Sequence, residues 1–119
     1  MRAYLLIVDR DLLTREVITK LVMELGHVAL GASSPARGLR MLEAMKFDAM
    51  IISPDATLPE ELSYAIDAKQ LQPQIAVILT AAIELTEFSN APIDAFIQKP
   101  FSVALLEDTL KKLFICSDL

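Results

Sequence analysis

Four short polar stretches hold most of the chemistry open to this 119-residue chain: Asp9-Arg10-Asp11, Ser53-Pro54-Asp55, Thr80-Ala81 and Lys99-Pro100-Phe101. Each follows an apolar run, and together they offer carboxylates, two hydroxyls and an ammonium group. Carboxylates are the ligands a hard divalent cation such as magnesium takes. An ionised carboxylate is also a ready nucleophile, whereas a serine hydroxyl needs a positioned base. The chain's one histidine, His27, opens a different apolar run and is expected as an exposed turn residue without a role. No glycine-rich phosphate loop follows any of the runs, which argues against a nucleotide- or flavin-binding enzyme.

The elements that must position these residues are legible as alternating patterns. Apolar runs at Tyr4-Leu5-Leu6-Ile7-Val8, Val28-Ala29-Leu30, Ala49-Met50-Ile51-Ile52, Ile75-Ala76-Val77-Ile78-Leu79 and Ala95-Phe96-Ile97 suit strands buried on both faces. Helical patterns separate them. The first sets Leu13, Val17, Leu21 and Leu25 on one stripe and ends at Gly26; the second starts at Ser34-Pro35 and turns Leu39, Leu42 and Met45 inward. The third opens on the capping box Thr57-x-x-Glu60 and runs through Leu62 and Ile66 toward Leu71. The last is capped by Ser102 and carries Leu105, Leu106, Leu110 and Leu113. Between Ala81 and Asp94 the pattern is weak, so a fourth helix around Glu84-Leu85-Thr86-Glu87-Phe88 is expected to be short, irregular or absent.

Alternating strands and helices of this length predict an α/β fold, a doubly wound five-stranded parallel sheet in the flavodoxin-like order 2-1-3-4-5. In such sheets functional groups collect outside the carboxyl ends of the strands, where all four polar stretches fall. The length and composition predict a single domain over residues 1–119. A net charge of -5 with no cluster of Lys and Arg speaks against a nucleic-acid or membrane partner, and the short apolar N-terminus is no signal peptide, so a cytoplasmic protein is expected. Cys116 has no partner for a disulfide or a zinc site, and Met23, Met41, Met45 and Met50 read as core or core-edge fillers.

The order and spacing of Val8-Asp9, Leu79-Thr80-Ala81 and Lys99-Pro100-Phe101 resemble the receiver domain of two-component response regulators over essentially the whole chain. The resemblance implies that Asp9 matches the first of two magnesium-binding acids, Thr80 the hydroxyl that follows the phosphoryl group, Lys99 the conserved cation and Phe96 the switch aromatic. It also implies a cis Lys99-Pro100 bond.

Two departures define the chain. Arg10 stands where the second acid belongs, and counting five residues from Asp48 puts Ser53 at the acceptor position. Removing carboxylates and adding a permanent cation weakens a magnesium site, and a salt bridge from Arg10 to Asp9 or Asp55 could replace the ion. The expected function is a stand-alone receiver-like module, with no effector segment after Leu119, no enzyme activity and no cofactor. It would act without phosphotransfer on a protein partner: a histidine kinase, another regulator or itself. A homodimer would use the weak fourth helix, the fifth strand and the final helix. The alternative makes Asp55 the phosphoacceptor with magnesium, with the loop bulged by two residues and the spacing Asp55-x-x-x-Pro59 in its favour. Against it, Pro54 biases Ser53 toward an extended conformation that simply prolongs the strand.

Overall fold

In the computed structural model, residues 2–53, 58–81 and 92–115 are described, the side chains of 58–62 and 115 excepted. The elements run β1 (Tyr4–Val8), α1 (Leu12–Glu24), β2 (Val28–Ala32), α2 (Pro35–Ala44), β3 (Ala49–Ile52), α3 (Leu58–Leu71), β4 (Ala76–Ala81), β5 (Ala95–Gln98) and α4 (Val103–Ile115). The strands form one sheet in the order β2-β1-β3-β4-β5, every pairing parallel, as the alternating pattern predicts. The expected short helix around 84–88 lies outside the described residues, so α4 is the final helix of the sequence reading.

Period-two alternation divides the core into two layers. Leu5, Ile7, Ala49, Ile51, Ile78 and Ile97 face Ile18 and Val22 of α1 and Leu106, Leu110 and Phe114 of α4. Leu6, Val8, Met50, Ile52, Val77 and Leu79 face the other way, onto Leu42 of α2 and Ala65 and Ala68 of α3. Both faces are covered, which is why the strands read as unbroken apolar runs.

The helix caps explain where the helices begin and end. Asp11 accepts the Thr14 N–H at 2.9 Å to start α1, and Ser34 accepts the Arg37 N–H at 3.2 Å to start α2, with Pro35 in the first turn. After α1 the chain turns through Gly26 at φ 95, a left-handed conformation that glycine takes without penalty.

Several inward faces differ from the expectation. In α1 the buried residues are Ile18 and Val22; of the expected stripe Leu21 and Leu25 pack partly buried against the same core, while Leu13 and Val17 are exposed. In α3 the sheet takes Ala65 and Ala68 and leaves Ile66 exposed, because small side chains let the helix lie close. Leu105, Met23 and Met45 are likewise exposed, whereas Met50 is buried. His27 is half-buried and structural: its Nδ1 accepts the Ala3 N–H at 3.0 Å and its ring meets Phe114 edge-on at 6.0 Å.

Candidate functional site

The same alternation that builds the core aims the polar strand ends. Ile7, Ile51, Ile78 and Ile97 all point to the α1/α4 layer, so Asp9, Ser53, Thr80 and Lys99, each two residues further on, start from that same face. The register brings them level, with Val8 opposite Ile52 and Ile52 opposite Leu79. Main-chain bonds extend the ladder past the strands: Ser53 N–H donates to the Val8 carbonyl at 3.0 Å, and Lys99 N–H to the Ala81 carbonyl at 2.8 Å. Ser53 therefore prolongs β3.

Within this cluster Asp9, Ser53 and Thr80 are buried. The Ser53 and Thr80 hydroxyls share a hydrogen bond of 2.6 Å, so each already has a partner within the protein. Asp9 Oδ1 accepts the Asp11 N–H at 2.9 Å, while Oδ2 is buried with no hydrogen-bond partner and lies 3.6 Å from the Lys99 ammonium. That distance is an ion pair but too long for a hydrogen bond.

Two further residues shape the site. Arg15 Nη1 donates to the Asp9 carbonyl at 2.8 Å, and its stem passes over Gly31, where a Cβ would lie 3.1 Å from Arg15 Cδ. The Asp11 carboxylate is engaged by Thr14, whose hydroxyl donates at 2.6 Å and whose N–H donates at 2.9 Å. Those two bonds, the side-chain one first, lower the Asp11 pKa below the ordinary carboxylate value. The Asp11-x-x-Thr14 spacing carries the signal for this cap, whereas nothing local marks Arg15 as a site residue.

No family model and no curated protein matches the sequence. Solved structures do match. The Vibrio cholerae chemotaxis protein CheY4 superposes with a TM-score of 0.85 at 15% identity, covering 95% of this chain and 99% of that one. A CheY-like receiver domain from Methanospirillum hungatei JF-1 gives 0.84 at 24% identity, over 99% and 98%. The Thermotoga maritima response regulator TrrA, in complex with Mg(2+)-BeF, gives 0.83 at 21% identity, over 95% and 99%. The chain has the receiver-domain fold.

Among the described residues of the strand-end cluster, the donor set does not suit a magnesium ion. Magnesium asks for a near-octahedral set of oxygens at about 2.0–2.1 Å, usually with carboxylates among them. Here Asp9 offers one open oxygen with an ammonium beside it, Asp11 is occupied by Thr14, and no group of three His, Cys, Asp or Glu able to hold a metal exists among the described residues. The cation that pairs with Asp9 is Lys99, while the alternative pairing of Arg10 with Asp55 lies outside the described residues. Lys99 reaches Asp9 because β5 ends on the same face, while Arg10 leaves β1 one residue later and on the other parity. Phe96 is half-buried and packs against the α2/α3 layer, and the Lys99-Pro100 bond is cis. Pro54 and Asp55, and with them the alternative acceptor, lie outside the described residues.

Proposed function

We propose that this chain is a protein-interaction module on the receiver fold, acting in two-component signalling without aspartyl phosphorylation, bound magnesium or enzymatic turnover. One observation supports the reading: the hydroxyl of Ser53, which the resemblance puts at the acceptor position, is tied to Thr80 by a buried 2.6 Å bond. A serine hydroxyl would need a base to attack phosphorus, and the only histidine, His27, bonds Ala3 at the other end of β1. The Lys99–Asp9 pair supplies from within the protein the positive charge a metal would bring.

Output then rests on surface complementarity. β5 is a sheet edge, and α4 exposes Val103 and Leu105, a modest apolar surface for a histidine kinase, a second regulator or another copy of this chain. Among the described residues no helix is long and apolar enough to cross a membrane, which fits the cytoplasmic location we propose.

The test is a magnesium and beryllofluoride titration followed by amide NMR. The expected result is no saturable shift at Asp9, Ser53, Thr80 or Lys99, and a gained magnesium response in the doubly restored variant Arg10→Asp/Ser53→Asp. Saturable shifts in the parent chain that vanish in Asp55→Asn would overturn the proposal in favour of Asp55 as acceptor.

A further inference from the structure

The outward face of α1 mixes large exposed apolar side chains with charged ones, where a helix covering a sheet is normally polar throughout. Leu12, Leu13, Val17 and Met23 are 54%, 71%, 58% and 57% exposed, while Ile18 and Val22 on the opposite side fill the core. The centre of the exposed face is the row Leu13, Glu16, Lys20, Met23, spaced by three, four and three residues. That spacing reads the same from either end.

We propose that two copies of this chain associate through α1, the helices antiparallel about a two-fold axis passing near residue 18. A two-fold contact presents the same patch from both sides, so each position meets its mirror position in the row. Leu13 then packs on Met23 of the second copy, and Glu16 meets Lys20 of the second copy, each contact occurring twice. Leu12 and Val17 flank the seam, where the same symmetry sets them beside Glu24 and Thr19 of the second copy.

The charges decide the occupant. Glu16 and Lys20 are both exposed and, among the described residues, form no ion pair with each other, although their spacing would allow one within the helix. Symmetry brings each opposite the other sign across the interface, and any parallel arrangement would set like charges face to face. A second copy satisfies both requirements of the patch, apolar and ionic, with residues the chain itself supplies. A contact of a single helix pair is small, so the dimer belongs to the weak, reversible class, with Kd on the order of 0.1 mM.

The inference is independent of the proposed function, since no residue of the strand-end cluster takes part. Analytical ultracentrifugation of the full chain between about 10 µM and 1 mM tests it, alongside the single reversals Glu16→Lys and Lys20→Glu and their combination. Each single reversal replaces two attractive contacts by two repulsive ones and should weaken association about tenfold or more. The double reversal should return it to within about threefold of the parent, because the swapped charges again face opposite partners. All positions are exposed, so circular dichroism should show the fold unchanged in every variant. A parent chain that stays monomeric throughout, or a double reversal no better than the singles, overturns the proposal. So does a monomer whose α1 row instead captures a different protein.

Discussion

The Ser53–Thr80 bond makes a quantitative claim about stability that a double-mutant cycle can check. Thr80 is 0% exposed and Ser53 9%, so neither hydroxyl can fall back on bulk water when its partner goes. A buried polar group left unsatisfied costs about 1–3 kcal/mol. Ser53→Ala strands Thr80 Oγ1 in the fully dry position and should sit near the top of that range, at about 2–3 kcal/mol. Thr80→Val keeps the shape and strands the slightly more accessible Ser53 Oγ, at about 1–2 kcal/mol. The double variant leaves no orphan and loses only the net value of one hydrogen bond, about 1 kcal/mol. The singles therefore over-count by about 2–4 kcal/mol, the signature of a direct contact. Urea unfolding of all four proteins at pH 7 measures it, with the slope m held constant as the check that the unfolded state is unchanged. Strictly additive effects, or a Thr80→Val variant as stable as the parent, would refute the geometry on which the proposed function stands.

Two other outcomes follow from contacts away from the strand-end cluster. Lys69 Nζ ties α3 to the sheet by donating to Asp94 Oδ2 at 2.7 Å and to the Ile75 carbonyl at 2.6 Å, and Asp94 Oδ2 also accepts the Val77 N–H. Lys69→Met should cost about 1–2 kcal/mol, partly screened by solvent and seen as a roughly 4–8 °C fall in Tm by calorimetry. Burial, then the nearby N-terminal amine, lowers the His27 pKa against the opposing pull of Asp48. A depressed histidine means the unfolded chain takes up the proton first. Stability is therefore fully present above the unfolded pKa of about 6.5 and falls as pH drops through the folded value. Urea midpoints from pH 7.5 to 5 should show that decline, and His27→Asn should flatten it.

The fold was legible because both faces of the three central strands are buried. Leu5-Leu6-Ile7-Val8 and Val77-Ile78-Leu79 leave no polar position to confuse with a helix, and the cap Ser34 marks a start that the backbone then takes. Helix orientation was less legible. In α1 the sheet could have received either stripe by hydrophobicity alone, and only packing against Ile7 and Leu106 selects Ile18 and Val22. In α3 the deciding property was small size at Ala65 and Ala68, which hydrophobic periodicity does not weigh. At the strand ends, counting along the chain placed Asp9, Ser53, Thr80 and Lys99 together, because period-two alternation makes parity a local property. Which side chain would face Asp9 was not local. It depended on where β5 ends relative to β1, three strands away in the sheet.

On the proposed function, the strand-end cluster would keep its structure without the phosphoryl chemistry. Each group has a partner that folding itself requires: Asp9 holds the turn into α1 through the Asp11 N–H, and Ser53 and Thr80 satisfy one another. Lys99 offsets the buried Asp9 charge, which would otherwise be expensive in a dry site. Exchanging an acceptor carboxylate for serine removes a second buried negative charge beside Asp9, and with it the repulsion that a bound cation would have had to neutralise. Thr80 then gains a fixed hydrogen-bond partner in place of a transient one. Under that proposal Arg10 and Ser53 would act together: without a second acid there is little to hold a metal, and without the metal a carboxylate at 53 would be a cost with no return.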